Sequence, residues 1–599
     1  MKPKKNAPTQ ENLIELWNDL IEGLELTQGN PFKVRAHKKA LAVVEGLDET
    51  EFMTRVKDRT LTELAGIGKG TSDLIIDYFA CGQLAELNEI QKSVSPFFRE
   101  LAGVSGVGAA KARVLIEQLK IESLGELEYA CKENRLLNLK GFGEKSQAKI
   151  LHAIQFMHAA KGLFRLGDVF ETSRALFGRI EHQLAEWSGV SNEPLRVTEV
   201  GALRRRAEVL RECEFLVELP EFSEGNEGNE GNATKKEAFI SEMKKLEKFD
   251  HSPSETSAAG CQFKIHFAES ARFSYEAARM TATSEHWMAL GSPEFSASTL
   301  AKGSERSNDR LNLLGQSAQV DEHLYVDWLG GFVPPEARET GEEVQLVKEK
   351  GSEFERSLLG YGDLKGVFHL HTTYSDGKAT LEEMIKEAIR FEYEYIGISD
   401  HSQSAFYAGG LGVEKLKNQF DELEQLRLKY PQIRIFWGVE SDILANGDLD
   451  YDDEILAKFD FVIASIHQRF SHQKQQMTDR ILRAVENKHT RFIGHVTGRL
   501  LLERASFDCD LEKIIESCAK NKVILELNAN PYRLDVDWRF GPVLRKTGCL
   551  ISVNPDAHAL DGYQDTQFGI AMARKALVSK SQVFNAGSVA AVESWFKKS

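Results

Sequence analysis

The last third of the chain alternates short apolar runs with helical stretches, and this alternation constrains the fold more than any other feature. Seven such runs occur between residues 363 and 599, each long enough for one buried strand. Strands that alternate with helices favour a parallel sheet, and seven of them predict a (β/α)7 barrel. The runs are VFHLH, YIGIS, IRIFWGVE, FVIASIH, FIGHV, VILEL and LISVN.

Imidazole and carboxylate side chains collect where these runs end. The loops that follow the strands of a parallel barrel open onto one common mouth, so side chains from different strand ends would meet there. His369 and His371 alternate along the first run and would both point inward. Nine side chains together predict a metal centre: His369, His371, Asp376, His401, Glu440, His467, His495, Asp556 and His558.

This predicted centre offers nitrogen and oxygen ligands without sulfur, a mixture that suits zinc, manganese or iron rather than calcium. Nine ligands are too many for one ion, so we expect two or three divalent ions, with Glu440 as the bridging carboxylate. Divalent ions that lie about 3.5–4 Å apart activate water and stabilise the attacking and leaving oxygens of a phosphoester. The barrel mouth therefore predicts a phosphoesterase.

The region up to about Met157 is mostly helical by pattern and repeats one short theme. LAGIGKG, LAGVSGVGAAKA and LKGFGEKSQAKI each join two helices through a Gly-apolar-Gly turn. The glycines allow a sharp turn and leave N–H groups at the next helix start free to meet a phosphate. Three copies predict helix-hairpin-helix capture of DNA phosphates, whatever the base sequence. The predicted DNA-binding residues are Gly66, Gly68, Lys69, Gly106, Gly108, Lys111, Gly141, Gly143 and Lys145.

Bulk composition narrows the class of protein further. A formal net charge of −16 excludes a chain that grips nucleic acid by overall charge, but local patches can still do so. The seven cysteines are scattered and never form a CxxC pair, which suits a reducing cytoplasm. The sequence has neither a signal-peptide-like start nor an apolar run long enough to cross a bilayer. We therefore expect a cytoplasmic protein without membrane contact.

The strand-end motifs HLH, YSDG, SDHS, GVES, SIH, GH and PDAH resemble the PHP (polymerase and histidinol phosphatase) domain. The resemblance implies a trinuclear phosphoesterase. By that analogy one ion and the catalytic centre would be held by His369, His371, Glu440 and Asp556. A second ion would be held by Glu440, His467 and His495, and a third by Asp376, His401 and His558. Arg499 and Arg533 are the expected phosphate contacts.

Placed before such a domain, the remaining sequence resembles a bacterial family X DNA polymerase over nearly the whole chain. NPFKVRAHKKA resembles the start of the small DNA-end-binding domain of that family, and GALRRRAEVLRECEFLVEL resembles its palm motif. The family motif has Gly-Ser, two basic residues and an Asp-x-Asp pair that carries two magnesium ions. Here the motif is degenerate at the positions Ala202, Glu212, Glu214 and, for a third aspartate on a later strand, Lys264; Arg205 is among its basic residues.

These departures predict that templated nucleotide addition is absent or very weak. Magnesium demands nearly ideal octahedral geometry at about 2.0–2.1 Å, and an extra methylene on both carboxylates displaces it. Lys264 would also repel the ions. The stretch TATSEHW departs similarly from the family's nucleotide pocket, with Ala282 and Trp287 in place of glycine and asparagine. Leu74 stands where related lyases place their nucleophilic lysine, so we do not predict lyase activity, although Lys69 lies nearby in the sequence.

The expected architecture is a multidomain α/β chain with N-terminal all-α helix-hairpin-helix domains, an α+β nucleotidyltransferase-like palm and thumb, and the barrel. The acidic repeat EGNEGNEGN, from Glu224 to Asn232, predicts a flexible loop. The predicted borders are 1–90 for the DNA-end-binding domain, 91–160 for the fingers-like domain, 161–345 for palm and thumb, 346–362 for a linker and 363–599 for the PHP domain.

The function that we predict is a DNA-repair phosphoesterase that trims 3′ ends in the 3′ to 5′ direction and removes blocked termini. Its partner would be gapped, nicked or 3′-ended DNA, and we expect a monomer. One alternative is an active DNA polymerase whose PHP domain proofreads, which requires Glu212 and Glu214 to bind magnesium productively. Another is a DNA-binding scaffold with structural metals, and a third is a small-molecule phosphatase.

Overall fold

The computed structural model describes residues 8–26, 30–84, 86–87, 96–132, 135–187, 194–221, 228–248, 261–295, 320–470 and 472–598. The chain divides into two compact units, Met1–Lys161 and Gly162–Ser599. Within the described ranges, no helix combines the length and apolar character needed to cross a membrane. The predicted domain borders inside each unit stay predictions.

The described part of the first unit is helical. Apolar side chains on one face of each helix build two cores, around Trp17 in the first half and around Leu115 in the second. Asn30 begins the second helix by accepting a hydrogen bond from the backbone N–H of Phe32. The helices are α1 Gln10–Leu26, α2 Pro31–Glu45, α3 Glu49–Asp58, α4 Lys69–Cys81, α5 Pro96–Gly103, α6 Gly108–Leu119, α7 Leu124–Lys132 and α8 Glu144–Ala160.

The second unit begins with an α+β region built on a small mixed sheet. Strands β2 and β4 pair antiparallel, and β4 and β5 pair parallel, with Glu214 opposite Lys264. A separate ribbon pairs β1 with β3. The strands are β1 Phe164–Arg165, β2 Val197–Val200, β3 Val209–Leu210, β4 Glu212–Glu218 and β5 Gln262–Ala268. The helices are α9 Leu166–Trp187, α10 Gly201–Arg204, α11 Gly228–Lys245, α12 Phe273–Thr281, α13 Ser284–Ala289, α14 Glu322–Leu329, α15 Glu342–Lys350 and α16 Glu353–Ser357.

One expectation for this region needs correction, and one predicted segment contains more regular structure than its composition indicates. The acidic repeat was expected to be a loop throughout, but α11 begins at Gly228 and takes in its second half; residues 224–227 lie outside the described residues. The predicted linker at 346–362 contains the end of α15 and all of α16, and Val347, Phe354 and Leu358 are buried. Local composition missed this segment because its apolar side chains pack on residues that are distant in sequence, such as Tyr325.

The predicted (β/α)7 barrel is confirmed. Its seven strands are hydrogen-bonded in the order β12-β11-β10-β9-β8-β7-β6, all parallel. A bridge between Leu370 and Ala557 joins the two edges of the sheet. The strands are β6 Gly366–Leu370, β7 Tyr395–Ile398, β8 Arg434–Asp442, β9 Phe461–Ser465, β10 Thr490–Ile493, β11 Ile524–Asn528 and β12 Ile551–Asn554.

Aromatic side chains fill the barrel interior away from its mouth. The Phe368 ring lies 5.1 Å from that of Phe461 and 5.0 Å from that of Phe492, between centroids. Helices surround the strands, and the first of them begins with a reciprocal cap between Thr380 and Glu383. The helices are α17 Leu381–Arg390, α18 Val413–Lys429, α19 Asp453–Leu456, α20 Lys474–Val485, α21 Leu511–Asn521, α22 Gly541–Thr547, α23 Thr566–Lys575 and α24 Val589–Lys598.

Candidate metal centre

Glu440, near the carboxyl end of β8, lies at the centre of the barrel mouth. Its Oε1 lies 2.9 Å from His495 Nε2, 3.1 Å from His369 Nε2 and 3.2 Å from His467 Nε2. Its Oε2 lies 2.9 Å from His401 Nδ1. Four strand ends therefore deliver imidazoles to one buried carboxylate, which has the position expected of a bridging ligand.

Asp556 and Asp376 extend the cluster on either side of His371. Asp556 Oδ1 lies 3.3 Å from His371 Nε2 and 3.5 Å from His369 Nε2. Asp376 lies 3.5 Å from His401 Nε2 and 3.4 Å from His558 Nε2. The structure thus brings together all nine predicted residues. Four overlapping groups have ligand atoms within 4.8 Å of one another: His369–His371–Glu440, His369–His495–Asp556, His401–Glu440–His467 and His371–Asp376–His401–His558.

The division of these residues among ions stays a prediction. The third predicted set, Asp376, His401 and His558, lies in one of the four groups together with His371. His495 lies near both Glu440 and the pair formed by His369 and Asp556, so it can serve either of two ions.

The polar atoms of the cluster fit divalent ions. Among the described residues, His369 Nε2, both ring nitrogens of His371 and Glu440 Oε2 are buried and form no hydrogen bond of good geometry, although each lies close to another ligand atom of the cluster. Buried polar groups are nearly always paired, so nitrogen and oxygen atoms that converge without such hydrogen bonds are a donor set that fits a cation. These residues would hold two or three divalent ions through Nε2 or Nδ1 and carboxylate oxygens.

Backbone geometry turns some of these side chains toward the mouth. The pairing of β6 with β7 shifts register between Val367 and Leu370, and His369 has φ 61°. Asp556 also adopts a left-handed backbone, with φ 51°. Residues other than glycine rarely take this conformation, and it costs energy that the surrounding packing must offset. The simple alternation expected for β6 is therefore modified by an irregularity at His369.

Carboxylates behind the imidazoles fix their orientation, and sequence reasoning missed them. Glu526, on β11, lies 2.6 Å from His369 Nδ1 and accepts hydrogen bonds from the backbone N–H of His495 and the amides of Asn528 and Asn554. Asp442 Oδ1 lies 2.5 Å from His467 Nδ1. Such partners fix which ring nitrogen faces a metal. One signal was available, since Glu526 is the charged residue inside the otherwise apolar run VILEL.

The surroundings of the cluster shift the pKa values of its imidazoles in opposite directions. Burial, together with the charges of His558 and His401, lowers the pKa of His371 to about 3, which keeps its ring neutral. Burial also opposes protonation of His401, but Glu440 and Asp376 outweigh it and raise its pKa to about 10. Burial disfavours a charged Glu440 as well, yet His467, His369 and His401 hold its pKa well below the usual range. The carboxylates therefore stay ionised and demand positive charge nearby.

The two predicted phosphate contacts differ in their surroundings. Arg533 Nε lies 3.4 Å from Asp556 Oδ2, at the edge of the cluster. The Arg499 guanidinium is buried, donates to the carbonyl oxygens of Arg533 and Leu534, and pairs with Asp537. Arg499 thus braces the loop that carries Arg533, and these bonds leave Arg533 as the better-placed phosphate contact.

The predicted hairpin turns lie at the starts of α4, α6 and α8. Gly66, Gly106 and Gly141 have φ of 121°, 91° and 92°, a backbone that glycine adopts without strain. Lys69 and Lys145 are exposed at the helix starts. Lys111 is half-buried and donates to the Gly106 carbonyl and to Ser146 Oγ, both at 2.9 Å, so it joins the second hairpin to the third. The other predicted DNA-binding glycines, Gly68, Gly108 and Gly143, lie in the same three turns.

The two carboxylates of the degenerate palm site have partners on the neighbouring strand β5. Lys264 Nζ lies 2.5 Å from Glu212 Oε2, and His266 Nε2 lies 3.0 Å from Glu214 Oε1. The carboxylate of Glu214 also fills the space beside Gly201, where an added Cβ would come within 2.2 Å of Oε2.

Two further palm positions from the sequence analysis take structural roles. Arg205 pairs with Glu339 and donates to the Thr281 carbonyl, and Ala202 packs on the core. Sequence reasoning placed Lys264 correctly beside the two glutamates and missed His266, which lies two residues further along the same strand.

A parallel seven-stranded barrel with this mouth defines a PHP-type protein, and residues 368–530 match the PHP domain family. Residues 98–155 match the SAM-like helix-hairpin-helix tandem. Over 598 residues the chain is 30% identical to the DNA polymerase/3′-5′ exonuclease PolX of Bacillus subtilis strain 168. The alignment covers 98% of this chain and 99% of that relative. The chain belongs to the bacterial family X DNA polymerases that carry a C-terminal PHP domain.

Two further similarities concern the barrel region. A probable phosphatase of Caldanaerobacter subterraneus subsp. tengcongensis is 28% identical over 217 residues, which are 34% of this chain and 80% of that protein. The crystal structure of histidinol phosphate phosphatase from Lactococcus lactis, complexed with zinc, L-histidinol and phosphate, aligns with a TM-score of 0.28 at 20% identity. That alignment covers 35% of this chain and 93% of that one.

Proposed function

We propose that the PHP barrel hydrolyses phosphodiesters at DNA 3′ ends and that the palm no longer adds nucleotides. The observation that carries the first part is the convergence of nine ligand side chains, several with orphaned polar atoms, around the buried Glu440. The relative from Bacillus subtilis is named as both a DNA polymerase and a 3′-5′ exonuclease, which supplies the substrate class.

The proposed reaction adds water to the terminal phosphorus and breaks the bond to the 3′ oxygen of the preceding nucleotide. A nucleoside 5′-monophosphate leaves, and the shortened strand ends in a 3′ hydroxyl that takes up the proton. When bound, divalent ions would supply positive charge to the phosphoryl oxygens and would lower the pKa of a water molecule. Glu440 and Asp556 would bind the ions. Glu526 and Asp442 keep the rings of His369 and His467 correctly oriented. Arg533 would contact a phosphate oxygen from the rim of the barrel.

The ion pairs of the palm support the loss of nucleotide addition. Magnesium needs carboxylates that are free to approach it at about 2.0–2.1 Å. Glu212 pairs with the Lys264 ammonium and Glu214 lies 3.0 Å from His266 Nε2, so each carboxylate already has a partner that magnesium would have to displace. The palm would then have a structural role and would help to bring a DNA end to the PHP barrel.

An active polymerase with a proofreading PHP domain is the second candidate. The name of the Bacillus subtilis relative favours it, because the two chains align over almost their full lengths. The two candidates differ in the state of the palm. In an active polymerase, Glu212 and Glu214 would have to release Lys264 and His266 before they could bind magnesium. In a palm without polymerase activity, these pairs persist.

One assay tests both parts of the proposal. Gapped DNA with a 5′ label on the strand that ends at the gap is incubated with the protein and Mn²⁺, with and without nucleotides. We expect that strand to shorten in both reactions. Lengthening when nucleotides are present, abolished by Glu212→Ala, would overturn the loss of polymerase activity. Absence of shortening under Mn²⁺, Zn²⁺ and Fe²⁺ would overturn the nuclease assignment.

A further inference from the structure

Tyr532 is an exposed aromatic residue on the same rim as the metal centre. It lies in the loop that follows β11, and 44% of its surface is exposed. The next residue, Arg533, reaches within 3.4 Å of Asp556. Tyr532 therefore belongs to the same loop that carries Arg533 to the ligand cluster, with its Cα about 3.8 Å from that of the arginine. Exposed aromatic rings beside a site that handles single strands are a usual means of holding a base.

The tyrosine is held in place by the α+β region. The guanidinium of Arg165, on β1, lies 3.7 Å from the centroid of the Tyr532 ring and covers one part of it. Arg165 is itself fixed by ion pairs with Asp168 and with Glu503, at 2.8 Å and 2.5 Å. The ring therefore has a buried cation against it, while 44% of the surface of Tyr532 remains exposed to solvent.

The backbone around the ring is also fixed. The N–H of Tyr532 donates to Asn530 Oδ1 at 3.0 Å, and its carbonyl accepts from the N–H of Leu501 at 2.7 Å. Pro531 packs so tightly on Gly167 that an added Cβ there would lie 2.4 Å from the proline ring. A ring whose position is settled before binding loses little conformational freedom when a planar ligand stacks on it.

We propose that Tyr532 stacks the 3′-terminal base of a single-stranded DNA end and so positions the terminal phosphodiester at the metal centre. This inference rests on the proposed nuclease function and assigns it a substrate contact. Arg165 acts as a positioning residue, because it supports the ring from behind. Stacking depends on a π-face that every base has, so the contact selects a frayed strand end rather than a base sequence.

The test compares two single-stranded, 5′-labelled substrates with Mn²⁺: one ends in an ordinary nucleotide and the other in an abasic analogue. Tyr532→Leu keeps an apolar side chain against Arg165 but removes the ring, and Tyr532→Phe keeps the ring. We expect Tyr532→Leu to raise KM for the ordinary substrate about fivefold or more, with kcat little changed, and to leave the abasic substrate unaffected. Tyr532→Phe should behave as the unmodified protein does.

Phe406 provides a matched control on the same rim. It is 87% exposed in the loop after β7, and among the described residues no ring or guanidinium is stacked on it. Phe406→Leu should leave KM for both substrates unchanged. If Phe406→Leu produces the base-dependent rise and Tyr532→Leu does not, the contact is assigned to the wrong residue and the inference fails.

A binding experiment separates this inference from the proposed activity. In the His369→Ala/His371→Ala background, which should not hydrolyse DNA, a 2-aminopurine at the 3′ terminus reports stacking by its fluorescence. We expect quenching when protein is added, and its loss when Tyr532→Leu is introduced. Equal fluorescence with and without the tyrosine would overturn the inference. Failure of the unmodified protein to hydrolyse either substrate would instead overturn the proposed function.

Discussion

The second unit contains two clusters of strand-borne carboxylates, and they differ in what neutralises them. At the barrel mouth, Glu440 is 1% exposed and its nearest neighbours are imidazoles, with Oε2 2.9 Å from His401 Nδ1. In the palm, Glu212 is 30% exposed and pairs with Lys264 on the adjacent strand. An imidazole can lose its proton and become a metal ligand, whereas the lysine ammonium remains a competing cation. Carboxylates alone therefore do not make a metal site. The basic groups beside them determine whether the cluster can bind metal ions.

Removal of His369, on β6, together with His371, directly after β6, is the strongest test of the barrel cluster. His369→Ala/His371→Ala should lower exonuclease activity by more than about 100-fold, because the loss of a single supporting partner already costs 10–100-fold at metal sites. DNA binding, followed by fluorescence anisotropy, should not change, since the predicted DNA-binding hairpins lie in the first unit. Near-normal hydrolysis by the purified variant would remove the basis for a catalytic barrel.

A smaller loss is expected when only the support behind the ligands is weakened. Glu526→Gln keeps the size of the side chain but removes the charge that orients His369, so activity and Mn²⁺ affinity should each fall by about 10–100-fold. Glu512→Gln, on the exposed face of α21, is the matched control and should have no effect. If both variants behave alike, Glu526 is not a supporting partner.

Restoration of aspartates in the palm tests the other half of the comparison. Glu212→Asp/Glu214→Asp/Lys264→Asp removes the opposing lysine and the extra methylenes, so the palm should gain Mn²⁺ affinity by about tenfold. Electron paramagnetic resonance measures the binding of Mn²⁺. The experiment uses the His369→Ala/His371→Ala background so that the barrel site does not contribute to the signal. Glu212→Asp alone, which leaves Lys264 in place, should gain nothing. A gain from that single change would show that side-chain length matters more than the lysine.

Glu208, in the α+β region, pairs with Arg539, in the barrel region, and this contact should matter least for catalysis. Burial disfavours a charged Glu208, but Arg539 and Lys575 lower its pKa to about 2. The stabilisation is thus present above the unfolded pKa near 4.5 and is lost as the pH falls toward 2. Glu208→Gln should lower the free energy of unfolding by about 1–3 kcal/mol at neutral pH.

Thermal melts at neutral and acidic pH measure this difference. It should shrink as the pH falls below about 4.5, while exonuclease activity at neutral pH stays unchanged. A difference that is independent of pH would mean that the Glu208 charge does not stabilise this contact.

The sequence by itself determined the barrel and the candidate ligands at its mouth, because both depend on local patterns. Apolar runs of strand length between helices have one common solution, and residues such as Glu440 and His467 lie at run ends where that solution gathers side chains. The departure from the palm motif was equally visible, since Glu212, Glu214 and Lys264 could be read directly.

Only the tertiary structure decided which groups surround these residues. Glu526 supports His369, His266 lies against Glu214, and Arg165 lies behind Tyr532, although members of each pair are far apart along the chain. The bend at His369 and the buried helices in the predicted linker likewise depend on packing between distant segments. A linear pattern states which side chains are available at a strand end. Strand register and domain contacts set the distances and charges that turn them into ligands, counter-ions or supports.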